Sequence, residues 1–205
     1  MRSIFDPDSL FSRIMCFLAD LVVLNLVFLL TCLPVFTIGP ALTALYTLCF
    51  RLSDGREGTL RAYFRAFRAN FRQGVGLGLL ATAWVAASAV NFLWAAQGSV
   101  PVLVLLCTVV CLGVMVLSYA FPLLSRFDNT LGNTLKNALL LCLGHLPRSI
   151  LIGAVNVLPV ILVLTYPDTF FQMGLVWLLV WFSASAYGNA LLLKPVFAPF
   201  LTEEG

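Results

Sequence analysis

No Asp, Glu, Lys, Arg or His occurs between Arg72 and Arg126, and from Ser149 to Leu193 the only charge is Asp168. Each stretch is more than twice the roughly 20 residues that a membrane-spanning helix needs, so each must hold a hairpin of spanning helices. The composition agrees. With 61% hydrophobic and 10% charged residues, and a mean hydropathy of +1.01, the chain has too few ionisable groups to solvate a globular surface, which usually carries about 25%. The expected fold class is all-α: a single integral membrane domain over residues 1–205, a polytopic helical bundle with the lipid bilayer as its solvent.

Ile14 to Pro34 is long enough, at 1.5 Å per residue, to cross a hydrocarbon core of about 30 Å. The start of the chain lacks the pattern of a removable signal peptide, so this first helix is expected to be retained. Pro34, Thr37, Gly39 and Pro40 then mark a break, since Pro removes a backbone donor and Gly tolerates turn dihedrals. The apolar segment from Pro40 to Leu52 is too short for an upright span. If it returns through the membrane there are six helices with both termini inside; if it lies on the surface there are five, with the amino terminus outside. Arg2 and Arg13 favour six, the second one short.

Ten of the twelve basic residues are arginines, and six of those lie between Arg51 and Arg72. From Gly58 to Gln73 the spacing of Arg61, Arg65, Arg68 and Arg72 puts four guanidinium groups on one helical face, with Tyr63, Phe64, Phe67 and Phe71 on the rest. Such a helix suits the headgroup boundary, as an elbow or as a docking surface for a partner. Without a soluble domain beside it, the cluster reads as membrane topology rather than a nucleic-acid surface.

Gly74–Ala96 and Pro101–Leu124 form the next hairpin, around the uncharged turn 97–100. A second elbow follows Arg126, with Asp128 or Asn129 as N-cap and Leu131, Leu135 and Leu139 as its apolar stripe. Ser149–Tyr166 and Met173–Leu193 make the last hairpin, before Lys194-Pro195 and an acidic tail. The connections 51–72 and 126–148 hold nine of the twelve basic residues, Lys194 adds a tenth, and the opposite connections hold none, so the carboxy terminus is expected in the cytoplasm.

Little in the chain suggests catalysis. There is one histidine, His145, at an expected helix end where it would reach a free carbonyl or a headgroup, and no nucleophile motif surrounds any serine. The six cysteines form no CxxC pair, so neither a metal, a disulfide framework nor a cofactor is expected. No GxxxxGK[ST] phosphate loop is present. Asp20 is the one carboxylate placed inside a span, either reaching the interface or paired with an arginine, or serving as a proton or cation site. Asn25, Asn91, Asn156 and Asn189 are single amides at lipid depth, expected to hydrogen-bond between helices or, if they converge, to line a polar path. Gly74, Gly76 and Gly78 supply a small face for close packing within the chain or in a homo-oligomer.

The run Asn25-Leu-Val-Phe-Leu-Leu-Thr-Cys-Leu-Pro-Val-Phe-Thr-Ile-Gly-Pro-Ala-Leu-Thr-Ala-Leu-Tyr resembles the amino-terminal signature of the YesL-like bacterial membrane proteins. Phe64-Arg-Ala-Phe-Arg-Ala-Asn-Phe-Arg-Gln, Phe121-Pro-Leu-Leu-Ser-Arg-Phe-Asp-Asn-Thr and Leu135-Lys-Asn-Ala-Leu resemble the same family in the same order, over nearly the whole chain. That family has no assigned function. Its members typically occur beside carbohydrate importers of the ATP-binding-cassette type, so the resemblance implies a bacterial cell-membrane protein that accompanies oligosaccharide uptake and contacts importer permease subunits. The positions it singles out are Thr37, Gly39 and Pro40 at the first break, Asn70 in the first elbow, and Arg126, Asp128 and Asn129 at the second. A small transporter using Asp20 and the amides is the alternative.

Overall fold

The computed structural model describes residues 10–95, 100–172 and 174–201. The turn expected at 97–100 lies outside them except for Val100, as do Arg2, Met173 and the acidic tail. The described residues form an all-α polytopic bundle: α1 (Leu10–Thr31), a 3-10 turn (Val35–Thr37), α2 (Ile38–Ser53), α3 (Leu60–Ala69), α4 (Phe71–Ala95), α5 (Val100–Arg126), α6 (Leu131–Gly144), α7 (Leu146–Thr165), α8 (Pro167–Gln172) and α9 (Gly174–Leu201). Among the described residues, five stretches are long and apolar enough to cross a membrane: 14–31, 35–53, 71–94, 100–126 and 146–163. Among the described residues α9, 28 residues long, is a further long apolar helix, and α2 is the shortest of the set.

These helices are not equivalent. Within the second stretch 61% of residues are buried, against at most 22% in the other four, so α2 is the central strut. It packs against α1, α3, α4, α5 and α9. The other helices turn residues such as Leu30, Leu93, Leu105 and Ile150 outward, as a bundle solvated by acyl chains should.

The chain enters α2 through a hydroxyl-locked turn. The Thr37 hydroxyl donates to the carbonyls of Thr31 and Pro34, each at 2.6 Å, which satisfies a carbonyl that the end of α1 leaves open. Gly39 and Pro40 do not sit in this break; they occupy the first turn of α2, where a missing N–H costs nothing. Gly39 is required there because a Cβ would fall 1.9 Å from the Gly74 carbonyl oxygen. Gly74 and Gly78 are the matching half, so α2 and α4 cross backbone on backbone and the small face is spent inside the chain.

Two boundaries and one buried face differ from expectation. Helix α3 stops at Ala69 and α4 begins at Phe71, with Asn70 between them, so Arg72 belongs to a different helix from Arg61, Arg65 and Arg68. In α6 the buried face is Thr134, Ala138 and Cys142, whereas Leu139 is exposed. Small residues permit close approach between helices, and in lipid a leucine gains little from being inside. Helix α9 runs through Pro195 to Leu201, held by Val196 and Phe197, both essentially buried.

Candidate functional site

The intramembrane amides fall into three situations. Asn25 is fully buried and bridges α1 to the backbone of α9: its Nδ2 donates to the Leu178 carbonyl and its Oδ1 accepts from the Ser183 N–H at 3.0 Å. Asn156 and Asn189 converge. Asn189 Nδ2 donates to Asn156 Oδ1 at 3.0 Å and to the Tyr46 hydroxyl at 3.3 Å, and Asn156 Nδ2 donates to Ser118 Oγ at 2.8 Å. This ties α2, α5, α7 and α9 together, and Asn189 Oδ1 has no partner among the described residues. A cavity of about 430 Å³ adjoins the set, lined by Tyr46, Asn156, Trp181 and Phe182 among apolar neighbours. Asn91 corrects the expectation of bonding between helices: it is exposed and donates to the Ala87 carbonyl of its own helix at 2.8 Å. Asp20 is exposed on α1, and no hydrogen bond or ion pair among the described residues joins it to an arginine or to the amide set.

The ends of α2 and α5 meet the side of α9 at a charged clamp. Asp54 accepts from Arg126 Nη2 at 2.8 Å through Oδ2 and from Lys194 Nζ at 2.7 Å through Oδ1. Lys194 also donates to the Ser53 carbonyl at 2.9 Å, and the Arg126 guanidinium lies 4.5 Å from the centre of the Phe50 ring. Burial by itself would push the Asp54 carboxyl up. The Lys194 hydrogen bond and the charges of Arg126, Lys194 and Arg56 outweigh it and hold the group below its ordinary value. Arg126 is therefore committed within the chain. Sequence reasoning did not single out Asp54: a lone carboxylate in an arginine-rich loop looks solvated, and its partners lie 72 and about 140 residues away.

A few residues on, the charges are arranged otherwise. Arg51, in the last turn of α2, shares a cleft of about 380 Å³ with Thr59, Arg61 and Arg65 of α3. Arg61 and Arg65 also line a second cleft of about 500 Å³ with Phe64 and Arg68. None of these arginines has an ion-pair partner among the described residues, and Arg51 Nε is shielded from solvent without a hydrogen bond. The reverse face of α3 is anchored by Tyr63, whose hydroxyl meets Thr31 Oγ1 at 2.7 Å and donates to the Ala41 carbonyl at 3.4 Å. Asn70 bonds back to the Ala66 carbonyl at 3.4 Å and caps the helix, while Arg72 is exposed beyond it.

At the second elbow, Thr130 is the N-cap rather than Asp128 or Asn129. It is the extended residue directly before α6, and its hydroxyl accepts from the Asn133 N–H at 3.4 Å. Asp128 is exposed, and Asn129 lines a groove of about 310 Å³ with Phe127, Asn137 and Phe200. His145 caps α6, a ring nitrogen 3.4 Å from the Leu141 carbonyl.

A family model described as a protein of unknown function, DUF624, matches residues 21–92, from α1 through most of α4. No curated protein and no solved structure matches the chain.

Proposed function

We propose that this is a non-enzymatic component of the bacterial cell membrane that accompanies a carbohydrate importer, docking on a permease subunit through Arg68 and Arg72, with its carboxy terminus in the cytoplasm. The observation that carries the reading is the exposed guanidinium edge that follows the Tyr63 anchor. Arg126 closes a clamp inside the chain, whereas Arg68 and Arg72 face outward without an acidic partner among the described residues. Charges of that kind set orientation and partner choice. The carbohydrate context rests on the YesL-like resemblance, and the DUF624 match covers the segment that carries its amino-terminal signature. The amide set supports a scaffold more than a conduit, because it includes no carboxylate and each of its hydrogen bonds ties one helix to another.

The test is gentle detergent extraction of the tagged protein from its native host grown on polysaccharide, followed by mass spectrometry. A permease recovered near one-to-one, and lost when Arg68→Glu and Arg72→Glu are combined, is the expected result. A homo-oligomer without permease contradicts the reading. Proton-coupled flux in liposomes that disappears in Asp20→Asn would instead favour the small transporter.

A further inference from the structure

We propose that the cleft formed by Arg51, Thr59, Arg61 and Arg65 binds the phosphate of an anionic phospholipid. Three cationic side chains from two helices converge there, and the ion pairs of the described residues involve none of them. Asp54 is occupied by Arg126 and Lys194, and Glu57, exposed two residues before Thr59, forms no ion pair with the three arginines among the described residues. Arg51 Nε is the most specific sign. A guanidinium withdrawn in part from water with no acceptor for its Nε is costly to keep charged, and an oxyanion paired with the part of Arg51 that lines the cleft would offset that cost. Thr59, the N-cap of α3, makes no side-chain capping bond, so its hydroxyl is free to serve the same oxyanion beside the first N–H groups of the helix. Planar guanidinium groups match phosphate oxygens in paired hydrogen bonds. The volume falls within the roughly 300–1,000 Å³ usual for small-molecule sites, more than a bare ion needs.

The surroundings select a lipid among phosphate bearers. Leu60 and Phe64 are both more than two-fifths exposed beside the arginines, and Phe64 lines the adjoining cleft between Arg61, Arg65 and Arg68. A free phosphate or an acidic peptide has no use for that apolar rim; glycerol and acyl carbons do. The site uses Arg51, Arg61 and Arg65, not the Arg68 and Arg72 edge assigned to the permease, so either assignment can fail alone.

The experiment is native mass spectrometry of the full chain, stripped of lipid and offered phosphatidylglycerol or phosphatidylcholine, with inorganic phosphate as competitor. Phosphatidylglycerol should be retained in preference, by about fivefold less for each arginine removed, in Arg61→Gln and then in Arg51→Gln with Arg61→Gln. Arg72→Gln, at an exposed arginine that lines neither cleft, should leave retention unchanged. If the double variant loses helicity or elutes as aggregate, Arg65→Gln, which alters an exposed side chain, takes its place. Equal retention of the two lipids, or retention indifferent to these substitutions, would overturn the proposal. Displacement by millimolar inorganic phosphate alone would overturn the lipid and make the site one for a free anion.

Discussion

Two clusters of positive charge leave the same end of α2, and a single carboxylate makes them different. Arg126 and Lys194 converge on Asp54 and fasten α5 and α9 to the end of α2. Arg51, Arg61 and Arg65 line one cleft, with no acid in its lining. The first cluster is internal structure; the second is positive charge held ready for something outside the chain. Counting lysines and arginines cannot separate them, since both add to the excess that sets membrane orientation. What separates them is whether an acceptor is already present.

The strongest challenge to this comparison removes the strut that positions both clusters. Gly39→Val would drive a side chain into the backbone of α4, destabilising the bundle by about 3 kcal/mol or more, and both clusters would fail together. The measurement is the yield of monodisperse protein after detergent extraction, expected to collapse. Asp54→Asn is more selective. It leaves Arg126 and Lys194 without a carboxylate and should cost about 2 kcal/mol of thermal stability in detergent while sparing the arginine cleft. Arg126→Lys keeps the charge but gives up the planar contact with Phe50, for a loss of about 1 kcal/mol.

Acidity sharpens the same contrast. The folded protein holds the Asp54 carboxyl below its ordinary value, so the clamp's contribution is complete above the unfolded value and is lost as pH falls through the folded one. Thermal melts taken on the way into acid should show that loss in the parent chain and lack it in Asp54→Asn. The smallest effect belongs to Arg61→Gln, which breaks no ion pair among the described residues and should shift stability by about 0.5 kcal/mol or less.

The long apolar runs made the spans legible in the sequence, and the arginine spacing made α3 legible, because lipid solvation and helical periodicity act locally. The remainder depended on contacts far apart in the chain. Asn91 and Asn189 look alike as single amides, yet one bonds its own helix and the other joins α9 to α2 and α7. Asp54 acquired its role only when α5 ended beside it and α9 passed it at Lys194. The break at Asn70 was hidden because the arginine periodicity continues across it, and α9 passes Pro195 because Phe197 and Lys194 are fixed by tertiary partners. Arg51, counted in sequence only as a topological charge, took on a distinct part through its buried Nε.

The most direct test is thermal unfolding of the parent chain, Asp54→Asn and Arg51→Gln, each in nanodiscs of phosphatidylcholine alone and in nanodiscs containing phosphatidylglycerol. Anionic lipid should stabilise the parent and Asp54→Asn by the same increment, with Asp54→Asn lower in both bilayers, and Arg51→Gln should lose most of that increment. If anionic lipid stabilises all three equally, or if Asp54→Asn alone loses the increment, the two clusters do not differ in the way described.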